Sequence, residues 1–132
     1  MSWLSKPLCL LLVACGLLAY APRVLAIGQF KDEFEVKYVK PESIEPKDVA
    51  FAAAVAKARC NVCHVGISKK DHNPYGLALA GLLDRRADRD NKAKIQAVLD
   101  QVAAMKSDAD NDDSVTFGEL IDQGKLPGGN GE

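Results

Sequence analysis

The 132-residue sequence is poor in the side chains that carry most site chemistry. It holds two histidines, two methionines, one tryptophan and four cysteines, and its aromatic content is 6%. It lacks a surplus of either charge: 17 basic residues face 18 acidic ones, for a formal net charge of −1. With no basic block, it has none of the electrostatic footprint of a nucleic-acid-binding protein. It also lacks internal repeats and low-complexity tracts. Its longest apolar run, Pro7 to Ala21, falls short of the roughly 20 residues that span a bilayer. The length suits one small domain.

That apolar run follows Lys6 and is broken by Pro22 and Arg23, after which Val24-Leu25-Ala26 places small residues at a cleavage spacing. The pattern predicts a signal peptide over residues 1–26, cut after Ala26, and hence an exported, periplasmic or otherwise extracytoplasmic protein. Leu12-Val13-Ala14-Cys15 also resembles a lipobox. Lipidation at Cys15 is the alternative, and only then would the domain sit on a membrane. The leader carries Lys6 and Arg23 and no acid, so the mature chain is more acidic than the whole. It also carries Cys9 and Cys15. Maturation thus leaves Cys60 and Cys63, too few for a disulfide framework.

The remainder reads as four or five short helices with little or no sheet. Phe30, Phe34 and Tyr38 recur at helical spacing, while Phe34, Val36 and Tyr38 alternate as on a strand; helix is favoured, because Lys31, Asp32 and Glu33 suit a first turn. Pro46 opens an alanine-rich helix through Arg59, with Val49, Ala52, Ala53 and Ala56 as its expected apolar face. The helix runs straight into Cys60, and Gly66 to His72 reads as loop. Asn73-Pro74 caps a helix carrying Leu77, Leu79, Leu82 and Leu83 and ending near Arg86. Asp88 or Asp90 caps the next helix, whose stripe is Ile95, Val98, Val102 and Met105. Thr116 and Glu119 form a capping box for a last helix through Gln123, with Gly124 as its stop. Residues 127–132 are expected to fray.

Cys60-Asn61-Val62-Cys63-His64 is the strongest signal. Two thiols separated by two residues reach both vinyl groups of one haem, and the adjacent histidine approaches the iron along its axis. On these residues, with the helix before them and the leader, the chain resembles small exported monohaem c-type cytochromes. The resemblance implies an all-α, cytochrome c-like domain over residues 27–126 wrapped around one covalent haem c. Cys60 and Cys63 would attach the haem, and His64 would be the proximal iron ligand. It implies an electron carrier that works with redox partner proteins, and no enzyme activity. Tyr75, Leu77, Leu82, Val98 and Val102 are candidate walls of the haem site. Competing readings of the motif are a dithiol redox site, which needs a β-α-β context, a zinc site with His72 as fourth ligand, and a plain disulfide.

Beyond Met1, Met105 is the one methionine. It is the candidate distal ligand, which would close the iron and raise its potential. His72 is the weaker candidate, read rather as a surface histidine. An open distal face would instead make the protein a haem enzyme or a gas- or peroxide-binding protein. Lys69, Lys70, Arg85, Arg86 and Arg89 are candidates for a docking patch.

Asp108 to Glu119 resembles an EF-hand calcium loop, with ligands from Asp108, Asp110, Asp112, the Ser114 carbonyl, Thr116 and Glu119. Val115 takes the apolar anchor position. Asp113 stands where glycine normally turns the loop, so a strained left-handed residue is expected there. Calcium is therefore a second candidate ligand, with a calcium-responsive interaction module as the corresponding function. The competing reading is a solvated acidic loop in which Glu119 serves only the cap.

Overall fold

The computed structural model describes residues 28–129. The leader, its cleavage site, Cys15 and residues 130–132 lie outside them. Among the described residues five helices are formed: α1 (Gln29–Tyr38), α2 (Pro46–Ala58), α3 (Pro74–Ala80), α4 (Lys92–Ala103) and α5 (Phe117–Asp122). A 3-10 turn, Arg59–Val62, follows α2. Two short strands, β1 (His64–Val65) and β2 (Asp71–His72), pair antiparallel with His64 opposite His72. The expected mostly helical fold is present, but the segment expected as loop forms this hairpin. Among the described residues no helix is long and apolar enough to cross a membrane.

Helix α4 is the centre of the packing, touching α1, α3 and α5. Its stripe of Ile95, Val98, Leu99 and Val102 is buried, as helical periodicity requires. Aromatic rings fill the space beside it. Tyr75 of α3 stands edge-on to Phe34 of α1 (centroids 5.8 Å apart) and to Phe117 of α5 (5.2 Å). Phe34 also meets Phe51 of α2 and Tyr38. The Tyr38 hydroxyl donates to the Leu99 carbonyl at 3.1 Å.

The caps explain where the helices begin. Asn73 Oδ1 accepts from the Gly76 amide, and Thr116 and Glu119 form the expected capping box. At α4 the cap is Asn91, whose Oδ1 accepts from the Lys94 amide, and not Asp88 or Asp90. Asp88 is occupied elsewhere: its carboxylate accepts from Lys94 Nζ and from the Asp84 amide. Those contacts hold its pKa below the ordinary carboxylate range, the Lys94 bond most of all. Asp84 in turn captures the amides of Arg86 and Ala87. These side-chain bonds turn the backbone away from a helical path, and α3 stops at Ala80 well before Arg86.

Three more expectations are corrected. The buried face of α2 is Phe51 and Val55, whereas Val49, Ala53 and Ala56 of the expected face are exposed and Ala52 is half-buried; the larger apolar side chains take the core. Met105 lies beyond the end of α4, on a turn tied to α5 by a bond from the Phe117 amide to its carbonyl, and is 43% exposed. The chain at 127–129 is not frayed: Pro127 is buried, and Gly128 lies so close to the Asn73 side chain that a Cβ there would fall 2.0 Å from Nδ2.

Candidate functional site

The Cys60–His64 segment sits where α2 ends. Arg59 takes a positive φ of 52°, an uncommon conformation for a side-chain-bearing residue. It breaks the helix that was expected to run unbroken into Cys60. The 3-10 turn that follows is closed by the Cys63 amide donating to the Cys60 carbonyl at 3.2 Å. Both thiols are free. Cys60 is exposed, while Cys63 packs against the core.

Asn73 fastens this turn to α3. Its Nδ2 donates to the carbonyls of Asn61 (3.2 Å) and Val62 (3.0 Å), and its backbone amide donates to the Cys63 carbonyl (3.0 Å). Asn73 is 4% exposed, so these bonds satisfy polar groups that water does not reach. Gly76 permits the approach. A Cβ at this position would lie 1.9 Å from the Cys63 carbonyl oxygen, inside any allowed contact. The Asn-Pro-Tyr-Gly sequence thus serves two ends: a helix start, and a seat for the cysteine turn. Only the first was read from the sequence. The signal for the second was Gly76 itself, since an interior helical glycine often marks a close backbone approach.

The hairpin then sets His64. Its Nδ1 lies 3.3 Å from the Asp71 carbonyl. A carbonyl only accepts, so this contact places the proton on Nδ1 and leaves the Nε2 lone pair for a metal. Burial first, then the neighbouring His72, lowers the His64 pKa, and both favour the neutral imidazole. His72 is half-buried, with its ring centroid 4.5 Å from that of His64 and the planes 32° apart. The rings therefore lie side by side, not end-on across a shared metal, contrary to what a second axial ligand would need.

The arrangement does not favour the rival readings of the motif. Among the described residues no group of three or more His, Cys, Asp or Glu side chains is placed to hold a metal ion; Cys60, Cys63, His64 and His72 do not converge as a zinc site. Burial pushes the Cys63 thiol up to about 12, whereas reactive redox thiols are lowered. The motif also follows the C-terminal end of α2, whose dipole disfavours a thiolate.

Met105 belongs to the α4–α5 connection. Tyr75, Val98 and Val102 are closed into the protein core, Leu82 is half-buried and Leu77 is 61% exposed. Lys69 is engaged by the Asn61 side chain and the Gly66 carbonyl, while Arg85 and Arg86 are exposed and Arg89 pairs with Asp90.

In the acidic loop the side chains serve their own backbone. Asp108 Oδ1 accepts from the Asp110 amide, Ser114 Oγ bonds Asp108, and Glu119 Oε2 accepts from the Thr116 amide. Asp113 does not take the expected left-handed conformation; the positive-φ non-glycines among the described residues are Arg59 and Lys69. Asp112 is exposed.

No protein-family model matches the chain, and no curated protein or solved structure matches it significantly.

The Tyr75 hydroxyl is the only buried side-chain polar atom among the described residues without a hydrogen-bond partner, and the residue is 0% exposed. Burial raises its pKa, with smaller contributions from Tyr38 and Cys63, which lie within electrostatic range.

Proposed function

We propose that the protein is an extracytoplasmic electron carrier with one haem c attached through Cys60 and Cys63. The observation that carries this reading is the histidine adjoining the two free thiols, with its Nδ1–H donating to the Asp71 carbonyl and Nε2 left to bind iron. The donor set fits the group, and the orphaned Tyr75 hydroxyl fits an acceptor that arrives with it. The haem supplies a centre that takes up and gives back one electron. Cys60 and Cys63 would hold it by adding across its two vinyl groups, each sulfur–carbon bond formed with the thiol hydrogen passing to the neighbouring vinyl carbon and no net redox change. The residues around the site hold His64 neutral and keep its plane and height fixed by the hairpin. Met105, the sulfur donor of the mature chain, is the proposed distal ligand, and it would close the iron to small molecules.

The haem is expected to stay with the polypeptide through denaturing electrophoresis, detected by its peroxidase stain, and to be lost in Cys60→Ala/Cys63→Ala. A wild-type chain that releases its haem on denaturation sinks covalent attachment. In the reduced protein, failure to bind carbon monoxide is the carrier's expected behaviour. Ready binding moves the open-site enzyme or sensor ahead.

The orphaned hydroxyl gives an independent check. Removing a buried polar atom that has no partner stabilises a protein, whereas removing one that is bonded destabilises it, each by about 1 kcal/mol. Tyr75→Phe is therefore expected to lower the denaturation midpoint of the haem-loaded protein and to raise that of the Cys60→Ala/Cys63→Ala chain. A rise in both contradicts a bond to the haem group.

A further inference from the structure

We propose that His72 is a positioning residue that sets the plane of the His64 imidazole, an inference that rests on the haem reading above. The contact between the two rings is built by the backbone. His64 and His72 are directly opposed in the antiparallel pair, and opposed residues project to the same face of a sheet at close Cβ separation. Strand β2 thereby supplies two different restraints on one ring. The Asp71 carbonyl holds Nδ1 at 3.3 Å, which fixes the tautomer and one point of the ring. The His72 ring, its centroid 4.5 Å away and its plane tilted by 32°, packs beside the His64 ring and restrains rotation about the remaining side-chain torsion.

His72 is itself held from behind. A Cβ on Gly76 would fall 3.0 Å from His72 Cδ2, so helix α3 backs the His72 ring closely. Asn73, the next residue, is locked to the cysteine turn through three hydrogen bonds. The pile of Gly76, His72 and His64 thus joins α3 to the iron ligand through rigid contacts. Partners outside the metal's own ligands commonly tune it in this way, by orienting the ring that binds. A histidine is not required for that task; a flat side chain is. This separates the proposal from a role in ligation or proton transfer.

The test compares the haem-loaded wild type with His72→Phe and His72→Leu. Phenylalanine keeps a flat face and leucine removes it at similar bulk. In the oxidised protein the proton NMR shifts of the four haem methyl groups depend on the plane of the axial imidazole. The wild-type order of these shifts is expected in His72→Phe and a reordered pattern in His72→Leu, with haem stain retained in all three. Nuclear Overhauser contacts between the ring protons of His64 and His72 are expected in the wild type, whatever the fate of the variants. An unchanged pattern in His72→Leu, a pattern changed equally in both variants, or absent ring contacts overturns the positioning role and leaves the carrier standing. A wild-type chain without covalent haem overturns the carrier reading and this inference with it.

Discussion

Gly76→Ala is expected to cost the protein 3 kcal/mol or more, roughly, lowering Tm by about 10 °C or more. On helix propensity alone the change should help, since alanine is favoured over glycine by about 1 kcal/mol in a helix interior. The close packing reverses the sign. The added Cβ would lie 1.9 Å from the Cys63 carbonyl oxygen and 2.8 Å from its carbon. Both belong to the backbone, so no rotamer change relieves the clash. Either α3 withdraws from the cysteine turn, breaking the Asn73 bonds, or the turn moves and carries Cys63 and His64 with it. Haem incorporation should fall along with stability. Gly81→Ala is the control, because its Cβ would meet nothing nearer than 3.6 Å and its φ is −72°. That variant is expected to be neutral or slightly stabilising, by up to about 1 kcal/mol. Equal Tm values for the two variants would show that α3 does not bear on the cysteine turn.

The second large effect is expected at Asn73. Its side chain donates to two carbonyls of the cysteine turn and accepts the Gly76 amide that starts α3. Asn73→Ala removes the cap, worth about 1 kcal/mol, and strands the buried Val62 carbonyl, at about 1–3 kcal/mol more. Asn73→Asp is sharper. It keeps an acceptor for the Gly76 amide but turns an anionic oxygen towards the carbonyls of Asn61 and Val62. The introduced carboxyl is buried and faces acceptors, so its folded-state pKa lies above the unfolded value of about 3.9. Its penalty is therefore full at neutral pH and is relieved as pH falls through that raised pKa. The Tm gap between Asn73→Asp and wild type should narrow on acidification from pH 7 towards pH 4, measured by circular dichroism. A gap independent of pH would mean that the side chain has swung out to water and that the turn does not depend on it.

Both effects fall on residues whose local role was legible and whose long-range role was not. Asn73-Pro74 announces a helix start, because an N-cap acceptor and a first-turn proline are rules of neighbouring backbone. That the same asparagine turns its amide nitrogen back to Asn61 and Val62 depends on where α2 ends, which no local pattern states. The misplaced boundaries have the same origin. Asp88 has the right chemistry for a cap, but its contacts with Lys94 and Asp84 leave the α4 cap to Asn91. The alanine stripe of α2 has the right period, but Phe51 and Val55 bury more area and win the core. Met105 continues the α4 stripe in sequence, yet the helix stops at Ala103 and the methionine falls on the following turn.

The sequence by itself determined the mostly helical character, with four or five helices announced by alanine content, caps and the three- and four-residue steps of apolar side chains, and the Cys-x-x-Cys-His spacing. Only the tertiary structure decided the environment of that segment. The tautomer of His64 depends on the Asp71 carbonyl across a hairpin, its plane on His72, the seat of Cys63 on Gly76 and Asn73, and the orphaned state of the Tyr75 hydroxyl on three helices meeting around it. Caps and periodicity act between neighbours in sequence, whereas tautomer, ring plane and burial are set by groups distant along the chain that meet only once the helices have packed.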